Sequence, residues 1–186
     1  MKIQLIDYTE NSIQKLATVA RISHNSTGDS EDNIKLMKKI VKWGHYSVLE
    51  HAYATFKVEG ISRACSHQMI RHRHLSFVEK SLRYTEPNDI IIPNNISDGA
   101  SYRSGNLIAQ IKDFYFRMVN NNIPKEDARF ILPMGTGTKL MVTGNFRAWR
   151  EFLQKRLIPQ AQWEIRDLAG KIKEELISIS DSFLFD

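Results

Sequence analysis

The stretch Ala52-Tyr53-Ala54-Thr55-Phe56-Lys57-Val58-Glu59 sets Ala54, Phe56 and Val58 in alternation with Thr55, Lys57 and Glu59, and Ile61–Arg71 follows it with a helical pattern. Period-two alternation is the mark of a half-buried strand. Working outward from it, residues 2–8 alternate in the same way, and Asn11 or Ser12 caps a helix running to about Arg21. Ser23–Ser30 reads as loop. A second helix spans about Glu31–Trp43, with Ile34, Met37, Ile40 and Val41 at helical spacing, and Gly44 stops it. Toward the C-terminus, Ser76–Pro87 reads as an ordered loop and Ile90-Ile91-Ile92 as a short strand ended by Pro93. Asn94–Gly105, rich in Asn, Ser and Gly, is expected to be a mobile loop. A long amphipathic helix covers about 103–120, and Pro124 opens a short one over 124–130. A strand over 138–143, a helix over 146–156 capped by Asn145, and a last helix over about 160–179 complete the chain. Helices mix with separated strands, without Gly-rich crossovers or βαβ periodicity. The expected class is α+β: a mainly antiparallel sheet flanked by helices, with residues 1–186 as a single domain.

The chain has 186 residues and is 42% hydrophobic, enough to bury one core. No apolar run approaches the length that spans a bilayer, and Met1-Lys2-Ile3-Gln4 begins without a signal-type apolar block, so a cytoplasmic protein without a membrane partner is expected. The single cysteine, Cys65, excludes an internal disulfide and a multi-cysteine metal site. Redox chemistry must therefore come from a bound cofactor. A net charge of +5 favours anionic partners: nucleic acid, nucleotides or phosphorylated cofactors. No zinc finger, RNP stretch or aromatic-interleaved basic face is present, which argues against nucleic acid. His45 and His51 beside Glu50 lack a third ligand at metal spacing, so no metal is expected.

The densest chemistry lies in Arg71-His72-Arg73-His74-Leu75-Ser76-Phe77-Val78-Glu79-Lys80-Ser81-Leu82-Arg83-Tyr84. Two guanidiniums flank an imidazole at a helix end, and hydroxyls, a carboxylate and a further Arg follow. These are forked donors suited to phosphates and uracil-like carbonyls. Cations at a helix C-terminus also stabilise the helix dipole, by about 0.3–1 kcal/mol, which is the competing structural reading. Glu126 and Arg129 at i,i+3 read equally as a helix ion pair. Asn145, Trp149, Phe152 and Arg156 fall on one helix face, so the Arg156 guanidinium either snorkels or stacks over a planar ligand.

The run Arg71-His72-Arg73, Ser76, Glu79, Ser81, Arg83-Tyr84 resembles the signature of the flavin-dependent thymidylate synthases. Further blocks are similar in family order: Ala20-Arg21-Ile22-Ser23, Gly44–His51, Gln68, Glu126-Asp127-Ala128-Arg129 leading to Leu132-Pro133, Asn145-Phe146-Arg147 and Ala161–Ile165. Together they cover most of residues 20–169. The resemblance implies that Ser23, Ser47, Arg71, His72, Arg73, Glu79, Asn145 and Arg147 contact FAD, with His45 and Glu151 near the flavin. It implies that Gln68, Arg71, Glu79, Ser81, Leu82, Arg83, Arg129 and Arg156 hold dUMP, with Ser81 and Arg83 on the phosphate and Arg156 facing the uracil. Val78 stands where the family often has Asn, Leu82 where it has Gly, Glu151 where it commonly has Asn or His, and Gln160 where some members have His.

The implied activity is reductive methylation of dUMP to dTMP, with NADPH reducing FAD and methylenetetrahydrofolate donating the carbon. Cys65 sits in Arg63-Ala64-Cys65-Ser66-His67, unlike the Pro-Cys motif of thymidylate synthases that use a thiol, so Arg156 is the expected catalytic residue, stabilising negative charge on the uracil. The family's homotetramers, with sites shared between chains, are the implied assembly. Competing readings are a related pyrimidine C5 modification such as hydroxymethylation, a basic nucleic-acid-binding protein, or a tetrameric relative without activity.

Overall fold

β2 (Tyr53–Ser62) and β4 (Gly137–Asn145) pair antiparallel at the centre of the sheet, with Phe56 opposite Val142 and Val58 opposite Leu140. The computed structural model describes residues 1–93 and 106–186 in full; of residues 94–105, over which a loop is expected, only the backbone is described, and it is helical. β1 (Lys2–Tyr8) flanks β2 and β3 (Ser76–Glu79) flanks β4, both antiparallel, giving the order β1-β2-β4-β3. The helices are α1 (Ser12–Ile22), α2 (Ser30–Lys42), α3 (Arg63–Met69), α4 (Asn94–Asn120), α5 (Lys125–Ala128), α6 (Phe146–Arg156) and α7 (Trp163–Ile179), with a 3-10 turn at Tyr46–His51. The expected α+β class is borne out.

Alternation along β2 does what its pattern dictates. Ala54, Phe56 and Val58 are wholly buried, as is Val142 opposite Phe56. Lys57 and Glu59 share the other face and pair there at 3.1 Å. Helix α6 covers the buried face. Its first turn is fixed by the Asn145 side chain, which accepts from Ala148 N at 2.8 Å, so the expected cap is present. Trp149 packs edge-on to Phe56 at 5.1 Å and donates its indole N–H to the Ala54 carbonyl. Phe152 stands edge-on to Trp149 at 5.8 Å. Gly144 lets this contact close, because a Cβ there would run into Leu75 and crowd the Trp149 ring.

Three local expectations change. The strand over 52–59 runs on to Ser62, because Gly60 takes φ 72° where the β2–β4 register shifts, and the bulge lets pairing resume at Ile61. α3 therefore starts at Arg63, with Ser62 as its cap accepting from Cys65 N at 3.0 Å. The loop expected from Ser76 opens instead with β3, an edge strand too short to show convincing alternation. Ile90–Ile92 forms only one isolated bridge, Ile90 to Thr136.

The two central strands thus feed the two helices that matter next, β2 into α3 and β4 into α6.

Candidate active site

A cleft of about 290 Å³ lies between the segment after α3 and the last turns of α6, lined by Arg71, His72, Arg73, His74, Leu75, Ala148, Glu151, Lys155 and Arg156. A recess of about 220 Å³ adjoins it and shares His74, Ala148 and Glu151, adding Glu50, Asn145 and Arg147. Among the described residues, Arg71, Arg73 and Lys155 have no carboxylate partner, so the cleft presents cations without internal neutralisation. An anionic ligand is the natural complement.

Arg156 ends α6, and its guanidinium is fixed by two bonds. Nε–H donates to His72 Nε2 at 2.9 Å and an Nη2–H donates to the Gln68 carbonyl at 3.1 Å. Both acceptors lie at or just beyond the C-terminal end of α3. The guanidinium is thus held by polar acceptors instead of the expected snorkelling. Nη1 has no hydrogen-bond partner among the described residues, and Arg156 lines the cleft. Because Arg has no lone pair to offer, His72 Nε2 must be the acceptor, which requires a neutral ring protonated on Nδ1. Burial, then the charges of Arg156 and Lys155, push the His72 pKa down to about 4. The ring stands edge-on to Phe152 at 5.0 Å, which fixes its plane.

The sign of this shift makes a prediction. A base whose pKa falls from 6.5 in the open chain to about 4 in the fold takes up its proton first in the unfolded state, so its contribution to stability is intact above pH 6.5 and drains away as pH falls toward 4. The stability difference between wild type and His72→Gln, followed by thermal melts, should shrink over that window. Parallel pH profiles for the two proteins would refute the neutral-ring assignment.

The remaining residues fall into further groups. Arg147 bridges Glu50 at 2.7 Å and Glu151 at 3.3 Å. Glu79, on β3, accepts from Ser66 Oγ at 2.9 Å and faces Arg63 at 3.5 Å, while Arg63 also donates to the Lys80 carbonyl. Arg83 places both Nε and Nη2 on Glu126 Oε2 at 2.8 Å. Its backbone N donates to Ser81 Oγ, and Leu82 between them is buried. Arg129 donates Nε–H to the backbone carbonyl of Glu126, so the local Glu126–Arg129 ion pair is replaced by a long-range one to Arg83. Ser23, at the end of α1, bonds the Ala20 carbonyl. Ser47 lies in the Tyr46–His51 turn, and the His45 ring before it sits 5.9 Å from Trp43.

One chain therefore brings Gln68, Arg71, His72, Arg73, Asn145, Arg147, Glu151 and Arg156 to one cleft system. Ser81, Arg83 and Arg129 gather around Glu126, and Ser23, His45 and Ser47 lie at the ends of α1 and α2. No hydrogen bond or ion pair joins the Glu126 group to the other two among the described residues, whereas the Arg147–Glu50 pair ties the recess to the Tyr46–His51 turn that carries Ser47. Sequence reading missed Lys155, which lines the cleft, and Arg63 and Ser66, which orient Glu79. Lys155 carried a signal in its adjacency to Arg156; Arg63 and Ser66 carried none until Glu79 was placed on a neighbouring strand. Cys65 is buried with its thiol pushed up by burial, which disfavours the thiolate. No group of three or more His, Cys, Asp and Glu among the described residues is arranged for a metal, and no described helix is long and apolar enough to cross a membrane.

Residues 4–180 match the family described as thymidylate synthase complementing protein. A flavin-dependent thymidylate synthase of Pyrococcus furiosus is 35% identical over 97% of this chain and 81% of its own length. Another, of Sulfurisphaera tokodaii, is 35% identical over 95% and 73%. The Geobacter sulfurreducens protein of the same name is 39% identical over 91% and 79%.

Proposed function

The chain belongs to the family of flavin-dependent thymidylate synthases, and from that premise we propose that it is an FAD-dependent methyltransferase converting dUMP to dTMP, with methylenetetrahydrofolate as carbon donor and NADPH as reductant. The observation that carries this reading is the Arg156 guanidinium, held by His72 and the Gln68 carbonyl at the edge of a cleft whose cations lack internal partners.

The donor set fits the flavin cofactor. Arg71, Arg73 and Lys155 offer unneutralised donors for a pyrophosphate, and the adjoining recess carries Asn145, Arg147 and Glu151. When bound, FAD supplies the hydride that completes the methyl group.

The chain's own residues bind and polarise. Arg156 has spent Nε and one Nη2 proton on positioning, which leaves the Nη1 side of its plane for the carbonyl and N3 edge of a uracil. Negative charge on that edge raises electron density at C5, the carbon to be methylated, without addition of a protein thiol. The neutral His72 contributes by accepting rather than donating, so it fixes Arg156 without adding a proton to the site. Ser81, Arg83 and Arg129 would hold the substrate phosphate, and Arg83 would exchange its contact with Glu126 for it.

The separation of Ser81, Arg83 and Arg129 from the cleft beside α6 supports a homotetramer in which neighbouring chains complete each site, since symmetric association repeats an interface at every copy. Each chain would contribute residues 1–186 as one domain, in the cytoplasm, with dUMP rather than nucleic acid as ligand.

The deciding experiment is direct. Protein reconstituted with FAD should stay yellow through gel filtration, bleach with NADPH, and form dTMP from dUMP and methylenetetrahydrofolate. Colourless protein after reconstitution would end the proposal, and a 5-hydroxymethyl product from yellow protein would replace methylation with hydroxymethylation.

A further inference from the structure

Behind the cleft, between the first turn of α7 and the end of β2, sits a carboxylate that the proposed reaction does not use. Glu164 is 3% exposed and has no cation at ion-pair distance among the described residues. It accepts two hydrogen bonds from a single residue, from Ser62 N at 2.7 Å and from Ser62 Oγ at 2.5 Å. Burying an unpaired carboxylate costs several kcal/mol unless its lone pairs are well satisfied, and an apolar side chain would have filled this space more cheaply. Its retention therefore points to geometry rather than to stability.

The bonds define a relay. Ser62 Oγ gives its only proton to Glu164 and accepts from Cys65 N, so the carboxylate fixes the rotor of the hydroxyl that caps α3. On the other side, the Gln162 side chain accepts from Glu164 N and Ile165 N, and Arg166 donates to the Pro159 carbonyl, which ties the start of α7 to the connection leaving Arg156. The α3 segment is thus bonded at both ends: Ser62, its cap, to Glu164 in the first turn of α7, and Gln68 and His72 at its far end to Arg156, the last residue of α6. The start of α3 is also held by Arg63 N–H to the Thr136 carbonyl at 3.0 Å and Ala64 N–H to the Met134 carbonyl at 2.9 Å, so removing the first bond loosens the Ser62 cap and tilts α3 about this anchor, which moves the acceptors of Arg156 at its other end.

Resting on the function proposed above, we infer that Glu164 is a positioning residue for Arg156, acting through Ser62 and the placement of α3. It touches neither ligand nor reacting atoms. Its effect belongs in turnover rather than in substrate affinity, because the phosphate-binding group around Arg83 lies on other elements.

Glu164→Gln preserves volume but cannot accept both Ser62 protons, and it should lower kcat per bound flavin about tenfold while the KM for dUMP changes less than about threefold, in line with the steep dependence of rate on small misplacements. Ser62→Ala should do the same, Ser62→Thr should restore the rate by keeping the hydroxyl, and the double variant Glu164→Gln with Ser62→Ala should be no slower than either single one. The Arg156 Nε–H resonance, shifted by its bond to the imidazole in wild type, should move in Glu164→Gln. That measurement needs no turnover, so it decides the inference even if the wild-type protein forms no dTMP and the proposed function fails. Should Glu164→Gln not fold, the Ser62→Ala and Ser62→Thr pair carries the test. Ser62→Ala with wild-type kcat per flavin, or an unmoved Arg156 resonance in folded Glu164→Gln, would overturn it.

Discussion

Arg156→Lys should lower turnover by roughly 10²-fold while dUMP affinity changes by less than about tenfold, as expected when a polarising donor is lost at the developing charge. Lys keeps the charge, so the simple electrostatic attraction for an anionic ligand survives. What it cannot keep is the plane. The guanidinium uses Nε and Nη2 to dock on His72 and the Gln68 carbonyl and presents Nη1 in the same plane. An ammonium on a flexible stem has no second edge with which to dock, so it cannot be held and present a fixed donor at once. Steady-state kinetics alongside dUMP binding by calorimetry separates the two effects. Equal losses in kcat and binding would mean that Arg156 serves only to hold the substrate.

Arg83→Ala should weaken dUMP binding by about 2–3 kcal/mol while leaving flavin content near normal, since a charge-assisted fork to a phosphate is lost. In the ligand-free chain that fork is already engaged by Glu126, with 52% of the Arg83 side chain exposed. A phosphate must displace or share this carboxylate, which keeps the expected loss at the lower end of what a fully buried pair would show. Flavin retention is the internal control, because no hydrogen bond or ion pair links Arg83 to the cleft beside α6 among the described residues. Loss of dUMP and FAD together would identify Arg83 as a structural residue instead.

How much of this was legible in the sequence depends on where each element draws its order. β2 and α6 were readable because one side of each is buried against the other, so the alternation of Ala54, Phe56 and Val58 and the spacing of Trp149 and Phe152 are direct images of the core. The Asn145 cap was equally local. β3 was not readable: four residues at a sheet edge are ordered by pairing with β4, and Val78 stays largely exposed. The helix expected over 61–71 was placed two residues early, because a left-handed glycine lets a strand continue where pattern alone suggests a break.

At the site, the family-like residues could be named but not grouped. Glu126 pairs with a residue 43 positions away rather than with its helical neighbour, and only tertiary structure decides between those partners. The role of His72 as an acceptor was invisible for a related reason. A histidine between two arginines reads as part of a cationic cluster, whereas burial against Phe152 keeps it neutral.

The antiparallel pairing of β2 with β4 has a consequence for how the chain can change length. α3 leaves one end of the strand pair and α6 leaves the other, and their C-terminal ends meet at the Arg156–His72 contact. Helical geometry makes their lengths a single setting: one residue added to α6 advances its end by about 1.5 Å and turns it by about 100°, which swings Arg156 away from both acceptors. An insertion in α3 does the same to Gln68 and His72 from the opposite side. Gains and losses of residues are therefore expected in connections such as 24–29 and 121–124, while the eleven residues of α6 and the seven of α3 behave as a gauge that fixes the width of the cleft.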